Sequence, residues 1–128
     1  MNLLKEKEIN GKTIYYGFSI GAYLLMELAT KVKLDKIVLV SPTPLFKDGV
    51  EHIENDRKIN KAKLNTVIRM CKQINCEVEV YVGENEADFM IKTAHKISKE
   101  LRVKLNIIKG LGHDRILFDE VLKIESGV

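Results

Sequence analysis

The chain of 128 residues is 45% hydrophobic and 30% charged, with eight glycines, two prolines, two cysteines and no tryptophan. That balance fits one soluble globular domain over 1–128 and excludes a disordered, collagen-like or disulfide-dense chain. Twenty-one Lys and Arg against 18 Asp and Glu give a net charge of +3 with the signs interleaved. No basic stripe for nucleic acid and no apolar run of the ~20 residues that cross a membrane is present, so neither partner is expected.

Residues 1–9 are short and charged, and Leu3, Leu4 and Ile9 read as the end of a helix; the stretch lacks the apolar core of a secretory signal. Gly11-Lys12 is a turn signal. Thr13-Ile14-Tyr15-Tyr16 is β-branched and aromatic, so 13–16 is predicted as a strand. Residues 22–32 are apolar almost all round and predict a buried helix. Residues 36–40, Lys-Ile-Val-Leu-Val, form a continuous apolar run, as a strand covered on both faces does, and Pro42 and Pro44 end it. Residues 45–58 are polar and irregular.

Residues 59–74 set Leu64, Val67, Ile68, Cys71 and Ile74 at helical spacing. Residues 77–82 read as the third strand, stopped by Gly83. Met90, Ala94, Ile97 and Leu101 share one face of a helix over 87–101. Residues 104–108 give a fourth strand, and 114–125 a last helix with Ile116, Leu117, Val121 and Ile124. Four strand–helix units imply an α/β fold in three layers, with about four parallel strands (13–16, 36–40, 77–82, 104–108) and helices on both faces. Cys71 and Cys76 lie five apart with no second pair, so no metal site is expected and both read as reduced thiols of a cytoplasmic protein.

Gly17-Phe18-Ser19-Ile20-Gly21 falls between a predicted strand and a predicted helix. A serine on such a turn sits in a strained backbone, and small flanking residues keep the chain from colliding with itself. The turn aims the Ser19 hydroxyl outward at the carboxyl edge of the sheet. It also aims the Ile20 backbone N–H, at a helix N-terminus, toward a developing oxyanion. The plainer alternative is a serine that caps the helix.

Serine needs a base to take its proton. His52 lies in a polar segment and His95 on the polar side of its helix, so both read as solvated. His113 follows the fourth strand in Gly110-Leu111-Gly112-His113, which a parallel sheet brings to the same edge as the elbow. Gly83-Glu84-Asn85-Glu86-Ala87-Asp88 offers three carboxylates at that edge to orient the base. Asp88 also suits the first turn of the following helix.

On these motifs the chain resembles the carboxyl-terminal half of an α/β-hydrolase, over residues 10–125. The order Ser19, acid, His113 is that family's order. The resemblance implies a serine hydrolase of esterase or thioesterase type acting on a small-molecule acyl substrate, with no cofactor. It assigns Ser19 as nucleophile, His113 as base and the Ile20 N–H as oxyanion donor. The family's acid falls three residues after the loop glycine, which selects Glu86 although aspartate is usual there; Asp88 is the second choice.

The resemblance also implies gaps. The family's first four strands, and the loop that supplies a second oxyanion donor, have no counterpart here. The strand 13–16 is then expected at an exposed edge, to be covered by a homodimer or a partner chain. A different class of function follows from the same gap: a non-catalytic remnant that acts as an interaction module through that edge. A phosphate cradle at Gly17 to Gly21 is the third reading, and it lacks both G-x-G-x-x-G and a Walker-type lysine.

Overall fold

The computed structural model describes residues 3–43 and 65–127. It contains one five-stranded sheet in the order β1-β2-β3-β4-β5, with β1 at Leu4–Ile9, β2 at Lys12–Phe18, β3 at Lys36–Val40, β4 at Glu77–Gly83 and β5 at Leu105–Ile108. Strands β2 to β5 are mutually parallel, and β1 pairs antiparallel with β2. The helices are α1 (Ile20–Lys31), α2 (helical over 65–71), α3 (Asp88–Leu101) and α4 (Arg115–Ser126). The four expected strands and their helices are all present, with their described ends displaced by at most three residues. The expected start of the second helix, and His52, lie outside the described residues.

Strands laid down in sequential order by right-handed crossovers must put every connecting helix on one face. The side chains agree. Ile37, Leu39, Val78, Val80 and Val82 point to a core shared with α1, α2 and α3. Ile14, Tyr16, Phe18, Val38, Val40 and Tyr81 point to the opposite core, which Leu117, Phe118 and Val121 of α4 close. Strand β3 is buried on both faces, which is why its sequence is apolar without alternation. Every parallel strand therefore delivers its following loop to the same carboxyl edge.

The amino-terminal segment corrects the sequence reading twice. Residues 4–9 are a strand, not a helix end, and the 13–16 segment is not an open edge, because β1 covers it. Asn10 and Gly11 both take positive φ, 53° and 80°, as the two-residue turn of a tight hairpin requires. The exposed edge passes to β1, and with it the ground for pairing through 13–16. Opposite β2, Leu4, Glu6 and Glu8 lie on the α1 face of the sheet, and Lys5 and Lys7 on the α4 face. A two-fold antiparallel pairing of β1 with its copy keeps faces together. Registers centred on residues 5 to 8 then set lysine against lysine or glutamate against glutamate, which is destabilising.

Candidate active site

Ser19 stands between the end of β2 and the start of α1 with φ 59° and ψ −122°. A non-glycine residue there stores about 1–3 kcal/mol of strain. Four backbone bonds hold it: its N–H donates to Val40 O at 2.9 Å, and its carbonyl accepts from Ala22, Tyr23 and Thr43 N–H at 3.0–3.3 Å. The turn tolerates no side chain at its flanks. A Cβ on Gly17 would come within 2.8 Å of Ala22 Cα, and one on Gly21 within 2.5 Å of Leu3 O. Although Ser19 occupies the cap position of α1, its side chain makes no capping bond. The hydroxyl is directed to His113 instead, against the plainer alternative.

His113 Nε2 lies 2.8 Å from Ser19 Oγ, across 94 residues of chain. Its other ring nitrogen, Nδ1, lies 2.6 Å from Glu86 Oε1. An ionised Glu86 accepts only, so Nδ1 carries the proton and Nε2 is left as the acceptor for the Ser19 hydroxyl. The imidazole rests against Phe18, with ring centroids 4.9 Å apart, and Phe18 stacks on Phe118 of α4. The ring is thus fixed at both nitrogens and on one face, while its side chain stays 36% exposed.

The acid loop and the histidine loop are joined backbone to backbone. Glu84 N–H donates to Ile108 O and Asn85 N–H to Leu111 O, each at 2.9 Å. Gly83 lies against the Leu111 carbonyl so closely that a Cβ would collide with it. The sequence marks Gly83 only as the end of a strand; its second role is this contact.

Of the two candidate acids, the structure brings Glu86 to His113 and leaves Asp88 exposed in the first turn of α3. The Glu86 side chain is fully buried. Burial pushes its carboxyl up, but hydrogen bonds from His113, Ser41 and the Gly83 N–H outweigh it and hold the group below the ordinary glutamate range. The glutamate fits because its extra methylene carries Oε2 back to the Gly83 N–H at 2.7 Å and to the Ser41 hydroxyl.

Two residues went unread in the sequence. Ser41 donates to Glu86, and Thr43 Oγ1 lies 3.4 Å from Ser19 Oγ. Both sit where β3 ends, and their only sequence signal is a small polar cluster beside Pro42. Ile20 opens α1, so its N–H has no partner within the helix and is free to meet an oxyanion. His95 is exposed on α3, as expected. Among the described residues no cluster of three metal-ligating side chains occurs, and no helix is long and apolar enough to cross a membrane.

No protein-family profile matches this sequence, and no curated protein does. Solved structures do. The chain is similar to an α/β hydrolase enzyme from the metagenome of lagoon sediments at Mar Chica, Morocco, with 18% identity, a TM-score of 0.57, and 90% of this chain against 62% of that one covered. A structure reported with carboxylesterases of the thaumarchaeon Nitrososphaera gargenis matches at 17% identity and a TM-score of 0.60, covering 88% of this chain and 62% of that one. A ferulic acid esterase matches at 13% identity and a TM-score of 0.53, covering 84% and 46%. This chain therefore spans less than two thirds of the length of each. The protein has a partial α/β-hydrolase fold.

Proposed function

We propose that the protein is a serine hydrolase acting on a small acyl ester or thioester. The observation that supports this most directly is the unbroken contact from Ser19 Oγ through both nitrogens of His113 to a buried carboxylate, at 2.8 and 2.6 Å. In this reading Ser19 Oγ attacks the acyl carbon as its proton passes to His113 Nε2. The carbonyl π electrons move to oxygen, and the Ile20 N–H at the head of α1 donates a hydrogen bond to that oxyanion. The tetrahedral species collapses, the bond to the leaving alcohol or thiol breaks, and His113 returns the proton to that group. Water, activated by the same nitrogen, then releases the acid and restores Ser19. Glu86 holds the productive tautomer and stabilises the imidazolium. Two free thiols, Cys71 and Cys76, suit a reducing, cytoplasmic setting.

Covalent capture is the sensitive test, because it needs one attack by Ser19 and no turnover. A fluorophosphonate probe should label the wild-type chain at Ser19, and Ser19→Ala should abolish both labelling and hydrolysis of a p-nitrophenyl ester. A folded wild-type protein that resists the probe would end the proposal. The second reading, an interaction module, draws on the apolar groove of about 360 Å³ between β1 and α1, where Leu4, Leu24 and Leu28 are each more than 40% exposed. It requires that Ser19→Ala leave the protein's binding partners unchanged.

A further inference from the structure

Glu86 has a partner that belongs to none of the three reacting positions. Ser41, directly after β3, is fully buried, and its hydroxyl donates to Glu86 Oε2. Gly83 N–H donates to the same oxygen at 2.7 Å, which leaves Oε1 to His113. Ser41 holds a φ of +48°, in the left-handed region. Glycine would adopt that conformation without strain, and the residue before a proline is in any case disfavoured there. The backbone is nonetheless pinned. Ser41 N–H donates to Tyr81 O at 2.8 Å, and its carbonyl accepts from Thr43 Oγ1 at 3.0 Å. What serine supplies at this position and glycine cannot is the hydroxyl.

We propose that Ser41 is a positioning residue. It locks the Glu86 carboxylate in the rotamer that presents Oε1 to His113, and so lets a glutamate serve where the shorter aspartate is usual. A glutamate has one more rotatable bond than an aspartate, and in a buried site an untethered carboxylate is free to swing away from the imidazole. Two donors on Oε2 remove that freedom. The titratable group that faces Glu86 is His113; Ser41 and the Gly83 N–H complete its surroundings as neutral donors. The consequence for catalysis rests on the hydrolase reading, whereas the effect on Glu86 does not.

The test compares Ser41→Gly and Ser41→Ala with the wild type by carbon-13 NMR titration of the Glu86 carboxyl and by the downfield proton on His113 Nδ1. Glycine relieves the backbone strain, so Ser41→Gly should keep the wild-type melting temperature to within about 4 °C, while Ser41→Ala melts lower. In both variants the Glu86 carboxyl should titrate about half a unit to one unit higher, and the Nδ1 proton signal should broaden or move. Where the wild type turns over an ester, kcat should fall about tenfold with KM changed less than about twofold, because one hydrogen bond to a buried charge is lost without touching substrate. A Glu86 titration and an Nδ1 proton unmoved in both variants would overturn the proposal. A wild type whose Glu86 behaves as described yet hydrolyses nothing would uphold Ser41's hold on the carboxylate and defeat the hydrolase reading alone.

Discussion

Glu86 at the carboxyl edge of the sheet and Glu79 near its amino edge are both carboxyl groups drawn into the fold, and their surroundings push them in opposite directions. Glu86 meets three donors, from His113, Ser41 and Gly83, and is held ionised below the ordinary range. Glu79 meets Glu125 of α4. The Glu125 carboxyl beside it raises Glu79 first, burial raises it further, and Lys36 offsets only part, so Glu79 is pushed up to about 7. Burial pushes Glu125 up, but its neighbours Glu79, the Tyr81 hydroxyl and Lys36, whose Nζ lies 3.1 Å away, outweigh it and hold the group below the ordinary range. Burial alone therefore decides nothing; the count of donors against like charges around each carboxyl does. One end of α4 follows His113, and the other carries Glu125, whose contacts with Lys36 and Tyr81 pin the helix to β3 and β4.

That contrast can be broken first at the carboxyl edge. Glu86→Gln keeps the shape and removes the charge, and its amide leaves His113 free to adopt the wrong tautomer. Ester turnover should fall by roughly 10³–10⁴, measured as kcat at saturating substrate. Retained activity would transfer the acid's role elsewhere, with Asp88 the first place to look. Next comes the join between the two loops. Gly83→Ala drives a methyl into the Leu111 carbonyl. Urea unfolding should show about 3 kcal/mol less stability, and the His113–Glu86 contact should loosen with it.

The amino edge should answer with the opposite sign. An acid whose pKa rises on folding binds protons as the chain folds. The stability from the Glu79 carboxyl is therefore full below its ordinary value of 4.5 and is lost as pH rises through about 7. Glu79→Gln should flatten that loss, leaving the variant more stable than wild type above pH 7 and no better below pH 4.5. Because the Glu79 side chain is 35% exposed, solvent screening reduces the gain to about 1 kcal/mol. Denaturant curves across that pH range would read it, and parallel curves for the two proteins would deny the raised pKa of Glu79.

The fold was legible because the parallel strands are apolar runs and the helices repeat at 3.6 residues, and both patterns report burial. Strand β1 was missed for the same reason. Its Leu-Lys-Glu-Lys-Glu-Ile carries charge on both faces and is exposed up to Ile9, so no burial pattern marks it; the turn signal at Gly11-Lys12 was read without the hairpin that Asn10-Gly11 makes. The elbow at Gly17 to Gly21 and the Gly112-His113 pair were visible because tight turns demand specific residue types.

The amino-acid sequence by itself determined the four parallel strands and the helices that follow them, and which loops such a sheet must gather at one edge: those holding Ser19, His113 and an acidic cluster. Only the tertiary structure decided that Glu86 and not Asp88 meets His113, that the Ser41 hydroxyl meets Glu86, and that β1 covers the strand expected to be bare. The physical reason is range. Periodicity and turn chemistry are local, set within a few residues. A hydrogen bond between side chains 27, 45 or 94 positions apart depends on register, rotamer and loop contact, which exist only once the sheet has assembled.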